Sequence, residues 1–343
     1  MIDIYVPRNF ISFILCLSII NKKNKNFIFL SKSYFTKYII KIFNQLAHNY
    51  NYKIILFDFN FYDSKIKIYN NNIKLNKIIK KKFNLYSCGF PFDQIIKKNK
   101  LFNNNYYLIC HGFGTFINYK IENSFIYKLY NLIKFKKIKT KGYDNYFTYF
   151  NSKVISLKMK KIISNVSNKI LKNNNLLNQI YFNNKNKKFI FLNISFKVKL
   201  SNTEETTLFN LLTKNLDRKK YFLIKSKFDP YLSSKSKNKI LMLEKFKKFL
   251  IIKNFKFLSI ENPKLVSLPI EIYANLFKLK FATGEITSSF FSLSKIFKVK
   301  ILNAFIIPKI FDAMFRNSNE SKLLYIFLYN GYYNNIKFSK INL

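Results

Sequence analysis

Tryptophan is absent from this chain, and glycine, proline, histidine, arginine and cysteine are scarce. There are six glycines, six prolines, two histidines, three arginines and three cysteines in 343 residues. Each shortage excludes something. Cys16, Cys88 and Cys110 are odd in number and form no Cys-x-x-Cys pair. That excludes a disulfide framework and a cysteine zinc site, and it fits a reducing cytosol. Arg8, Arg218 and Arg316 leave little for the bidentate guanidinium contacts of a protein that reads nucleic-acid sequence. The carboxylate clusters that a metal needs are missing, so no metal is expected. Long apolar runs are missing too. "FISFILCLSII" has about 11 residues, too few to span a bilayer at about 1.5 Å per residue. It lacks a basic leader and a small-residue cleavage site, so a buried helix is expected, capped by Asn9.

What is abundant is lysine, asparagine, isoleucine, phenylalanine and tyrosine. Hydrophobic residues make up 49% of the chain, enough for real cores. Lys and Arg number 61 against 16 Asp and Glu, a net charge of +45. An A/T-rich coding sequence would give this composition by drift, with lysine wherever a surface tolerates it. The rival reading is a basic nucleic-acid-binding protein. Attraction to acidic lipid or to an anionic substrate follows either way. Against such a bias, the glycines, histidines, prolines and acids that remain are the positions to read.

Strand-like and helix-like segments alternate along both halves. "IDIYVP", "NFIFLSK", "YKIILFDF" and "NYYLIC" read as strands, with "FTKYIIKIFNQLAHNY" and "KLNKIIKKKF" as helices between them. "KNNNLLNQIYFNNKNKK" is polar and lacks periodicity, and is expected to be a linker. Alternation resumes after it. "KFIFLNISF", "KKYFLIKSK", "FKFLSIEN", "LKFATGE" and "KVKILNAF" read as strands. "SNTEETTLFNLLTKNL" reads as a helix opened by a capping box, Ser201 with Glu204. The expectation is an α/β protein of two Rossmann-like domains, 1–184 and 185–343, with largely parallel sheets facing a central cleft.

Four stretches carry chemistry-bearing residues. In "LICHGFGTF", Gly112 and Gly114 suit a turn that brings main chain against a ligand. His111, at the strand's end, has an imidazole able to act as general base. A tight turn with a hydrogen-bonded histidine is the alternative. In "FLIKSKFDPYLSSK", Lys225 and Lys227 leave a strand toward Asp229-Pro230, where lysines can neutralise a leaving phosphate or simply be solvated. In "SLPIEIY", Glu271 sits in the first turn of a helix, suited to ribose hydroxyls or to the helix dipole. In "LKFATGEITSSFFSLSK", Thr287, Ser288 and Ser289 open a helix after a strand, a phosphate seat or an ordinary cap.

In this order and spacing the four stretches resemble the bacterial sialyltransferases of the GT-B type, above all the α-2,8-polysialyltransferase family. That family has an acidic-acidic-Gly motif, a Lys-Pro-His-Pro motif, a Pro-x-Glu helix and a Ser-Ser pair. This chain has "CHGFGTF", "IKSKFDP", "LPIE" and "GEITSSFF" in the matching slots. "IYVPRNFISFILC" and "SCGFPFDQIIKKNK" also look like the family's opening elements, so the resemblance covers nearly the whole chain. It departs where the acidic pair becomes Cys110-His111 and where the His-Pro pair is lost.

The resemblance implies metal-independent, inverting transfer of sialic acid or a related sugar from a CMP-linked donor to a glycan acceptor. No cofactor beyond the donor is implied. His111 would be the base, Lys227 or Asp229 would stand where the family has its histidine, and Lys225 would lie near the phosphate. Thr287, Ser288 and Ser289 would bind the phosphate, Glu271 the ribose, and Gly112 and Gly114 would shape the substrate loop. The setting expected from the cysteines is the cytoplasm, the charge leaves peripheral contact with the acidic inner face of a membrane open, and no specific nucleic-acid partner is expected. A shell of this type with lost catalysis or an altered donor is the other reading.

Overall fold

Short apolar strands joined by helix-length segments bury both sheet faces when each connection crosses back over the sheet, and neighbouring strands are then parallel. The computed structural model describes residues 1–32, 35–57, 77, 79–88, 102–109, 145–148, 152–194, 200–214, 216–225, 236–285, 287–306 and 338–340. In it that arrangement forms twice. The chain divides into two compact units, Met1–Val166 and Ser167–Leu343, each with one parallel sheet of six described strands.

The first unit contains β1 (Ile2–Val6), β2 (Lys25–Ser31), β3 (Tyr52–Phe57), β4 (Phe83–Ser87), β5 (Phe102–Ile109) and β6 (Asn145–Phe147), in the spatial order β3-β2-β1-β4-β5-β6. Helix α1 (Phe10–Ile19) connects β1 to β2, and α2 (Lys37–Tyr50) connects β2 to β3. The short apolar run does form the buried helix expected of it. The Asn9 side chain accepts the Ser12 N–H at 2.9 Å, while the Ser12 hydroxyl accepts the Asn9 N–H at 3.0 Å. Every residue from Phe10 to Ser18 is buried. Helix α2 is amphipathic: it buries Ile39, Phe43 and Leu46, and it ends at Asn51 in the left-handed conformation, φ 51°.

One face of this sheet gathers Ile4, Phe27, Phe29, Ile55, Phe57 and Leu85. On the other face Tyr5, Tyr86 and Tyr107 lie in register and stack at 4.5 Å between successive rings. At the foot of the sheet, Asp3 accepts amide N–H groups from Asn24 at 2.8 Å and Asn84 at 2.9 Å. Asn105 donates to the Asn84 side-chain oxygen at 2.9 Å. These bonds correct one expectation. The sequence pattern ran a helix through Phe83 and gave no strand after it, yet Phe83–Ser87 is a central strand between β1 and β5. Asn84 breaks its apolar pattern, and a tertiary network satisfies that asparagine.

The second unit contains β7 (Phe189–Asn193), β8 (Tyr221–Lys225), β9 (Lys256–Ile260), β10 (Phe281–Glu285), β11 (Lys300–Ile306) and β12 (Phe338–Lys340), in the order β12-β11-β10-β7-β8-β9. Its described helices are α4 (Asn175–Asn184), α5 (Asn202–Thr213), α6 (Ser236–Ile252), α7 (Pro263–Val266), α8 (Ile270–Leu276) and α9 (Ser288–Phe297). Helix α3 (Lys153–Lys172) contains the point where the two units divide.

The expected polar linker is instead helical. Asn174 caps α4 by accepting the Leu177 N–H at 3.0 Å, Leu177 is fully buried, and the Tyr181 ring packs on Phe277. Two contacts on one face hold a helix that composition alone does not reveal. Helices α5 and α6 cover one sheet face, setting Leu208, Phe209, Phe246 and Leu250 against Ile190, Leu192, Phe222 and Ile224. A 2.7 Å ion pair between Lys245 and Glu205 ties the two helices together. On the opposite face Phe290 of α9 meets Phe191 edge-on.

Numbered from the first strand of each unit, both sheets run 3-2-1-4-5-6. This is the doubly wound order of Rossmann-like domains, one of the orders that strand–helix alternation allows. Among the described residues no helix is long and apolar enough to cross a membrane.

Candidate nucleotide site at a strand-order reversal

In a doubly wound sheet the connections leave the first and fourth strands toward opposite faces. That opens a crevice at the carboxyl ends of those two strands. In the second unit they are β7 and β10, so the crevice begins at Asn193 and Gly284, which are register partners.

Gly284 is the tightest point. Its φ is 118°, a conformation that L side chains rarely adopt, and a Cβ there would lie 2.1 Å from the Asn193 carbonyl oxygen. The Asn193 amide donates to the Glu285 carbonyl at 2.7 Å and so pins the two strand tips together. Glu285 itself is buried at the end of β10.

Helix α9 begins three residues beyond Glu285. Thr287 is its cap, accepting the Ser289 N–H at 3.4 Å, and Ser288 is its first residue. In the next turn the single Ser292 hydroxyl proton is shared between the Glu271 carboxylate and, at 2.9 Å, the Ser289 carbonyl. Glu271 stands in the first turn of α8, which follows Pro269, and is 2% exposed. The structure therefore brings Glu271, Thr287 and Ser289 together around the start of α9. The Glu271 carboxylate faces α9 and not solvent.

Lys225 ends β8 and is buried. Its neighbour Ile224 pairs with Leu192, which places Lys225 level with Asn193. It is two strand spacings, about 10 Å, from Gly284. In register on a parallel sheet, Lys225, Asn193 and Gly284 share the face on which α9 packs. The arrangement offers a helix start with hydroxyls, one lysine, and a floor where backbone approaches closely. Chemically that set suits an anion.

His111, Gly112, Gly114, Lys227 and Asp229 lie outside the described residues. Cys16 and Cys88, the described cysteines, are both buried, and burial pushes the Cys16 thiol up. Among the described residues no three His, Cys, Asp or Glu side chains gather closely enough to hold a metal ion.

Sequence reasoning missed Asn193, Glu285 and Ser292. Glu285 carried the clearest signal, an acid directly after a glycine in a chain short of both. Asn193 carried none, since asparagine is common throughout. No family model matches the chain and no curated protein matches it significantly, so the site rests on the arrangement described above.

Proposed function

We propose that the protein is a GT-B-type glycosyltransferase resembling the bacterial sialyltransferases, transferring sialic acid or a related sugar from a CMP-linked donor to a glycan. What supports the reading is the crevice between β7 and β10, with Gly284 at its edge, the capped start of α9 after β10, and Lys225 at the end of the adjacent strand on the same sheet face. In this reading the donor phosphate sits on the Thr287–Ser289 turn, with the Lys225 ammonium balancing its charge. His111 takes the acceptor proton, and Lys227 or Asp229 stands near the departing phosphate.

Calorimetry with CMP, UMP and AMP tests the binding half. CMP is expected to bind best, and Lys225→Gln is expected to weaken it by about tenfold or more. Absence of binding by any nucleotide would overturn the reading. His111→Ala tests the catalytic half, with loss of transfer expected while CMP binding persists.

A second reading is a protein of the same shell with an altered donor or lost catalysis. The burial of Glu271 against Ser292 favours it, because a carboxylate already engaged between two helices is less suited to gripping a ribose. Preference for AMP or UMP over CMP is the outcome that selects an altered donor.

A further inference from the structure

The carboxyl ends of the second sheet carry the candidate nucleotide site. Its amino ends carry something else. Phe189, Tyr221 and Lys256 are in register and mark the amino ends of β7, β8 and β9. Around them stand Lys187, Arg218, Lys253 and Lys256. The Lys187 and Lys256 ammonium groups both lie over the Tyr221 ring, at 5.0 and 5.6 Å, and the Arg218 guanidinium lies 5.7 Å from the Phe255 ring centre. Out of this basic rim project Ile251 and Ile252, the last two residues of α6, at 62% and 76% exposure. At the same end of the unit α4 exposes Phe182, with Lys185 4.9 Å from its ring.

Helix α6 already buries Met242, Phe246 and Leu250 in the core, so Ile251 and Ile252 are not needed for folding. An exposed isoleucine pair at a pole that carries several cations has few suitable occupants. A second copy of this pole would set like charges face to face. Nucleic acid would satisfy the cations, but a branched aliphatic pair offers no stacking surface, and the nearby rings already lie under cations. A lipid bilayer with anionic headgroups satisfies both: acyl chains receive the isoleucines and headgroup phosphates meet the ring of charge.

We propose that the amino-end pole of the second unit is a docking surface for an anionic membrane, with Ile251 and Ile252 inserted below the headgroups. The strands' own length, about 15 Å, separates this pole from the nucleotide crevice, so both can be occupied together. The inference does not depend on the transferase reading.

Co-sedimentation of the full chain with phosphatidylcholine vesicles, with and without roughly one-third phosphatidylglycerol, tests it in about 0.15 M salt. A chain of +45 charge adsorbs to any anionic surface, so the deciding variant leaves charge untouched. Ile251→Ser with Ile252→Ser is expected to lower partitioning onto the anionic vesicles about tenfold or more. Lys253→Gln with Lys256→Gln is expected to lower it several-fold. Ile240→Ser with Leu241→Ser, exposed at the other end of α6, is expected to leave it unchanged. Circular dichroism spectra matching the wild type are expected for all three, since the substituted positions are exposed.

The proposal is overturned if the Ile251/Ile252 variant partitions like the wild type, or if the Ile240/Leu241 variant loses as much. It is also overturned if the Ile251/Ile252 change instead weakens binding of a single-stranded oligonucleotide or abolishes a concentration-dependent dimer.

Discussion

At Gly284 two constraints coincide, a φ of 118° and a neighbouring carbonyl where a Cβ would be. Gly284→Ala is therefore expected to cost about 2–3 kcal/mol or more, combining backbone strain with displacement of Asn193. Urea unfolding of the two proteins measures it. A cost below about 1 kcal/mol would mean that β7 and β10 part easily at their tips. Tyr52 gives a second residue-level expectation. Its hydroxyl donates to the Phe43 carbonyl, and burial raises its pKa above the usual 10.0. Because the folded state holds the phenol proton more tightly than the unfolded chain does, this stability is fully present below about pH 10 and is lost as pH rises beyond it. Tyr52→Phe should cost about 1 kcal/mol at neutral pH. Above pH 10 its unfolding free energy should fall less steeply than the wild type's, by about 1.4 kcal/mol per pH unit. The difference between the two slopes isolates the phenol from lysines titrating in the same range. Equal slopes would show that Tyr52 ionises in place.

At the scale of elements, what was legible is what short-range physics decides. The Ser201–Glu204 capping box forms as read, with the Glu204 carboxylate accepting the Ser201 N–H at 2.8 Å. Asn9 and Thr287 cap the helices expected of them, because a cap and an apolar period both lie within one window of sequence. β4 and α4 were not legible. Each is held by partners far along the chain: Asn84 by Asp3 and Asn105, Tyr181 by Phe277. The candidate site divides along the same line. Thr287 and Lys225 could be picked out because strand ends and helix starts can be read locally. The inward turn of Glu271 could not, since it depends on Ser292 of the following helix, α9. Composition worked against the reading as well, because asparagine and lysine fill loops, helices and strands alike and blunt their meaning.

At the scale of the whole molecule the dominant fact is charge, 61 basic residues against 16 acidic ones. Ion pairs do little to offset it, since each pair needs a carboxylate and carboxylates are few. The Lys247–Glu261 pair, which holds the Glu261 carboxyl below its usual range, lies at the surface with Glu261 about half exposed, and contributes little to stability. The remaining lysines repel one another in the compact state more than in the expanded chain, so folding is opposed by a long-range term that salt screens. Thermal unfolding of the full chain is therefore expected to move upward as ionic strength rises from about 0.01 M to about 0.15 M, over which the screening length shrinks from about 30 to about 8 Å. A rise of a few degrees, about 3 °C or more, corresponds to roughly 1 kcal/mol. Sodium chloride suits the measurement, since sulfate strengthens burial in its own right. If the lysines repel as the sequence implies, Lys→Glu changes at exposed positions such as Lys219 should shrink the salt response while raising the low-salt melting temperature. A melting temperature that stays flat or falls over this range would mean that the basic residues stand far enough apart for solvent to screen them already. The excess charge would then matter only where it is concentrated, at surfaces such as the amino-end pole of the second unit.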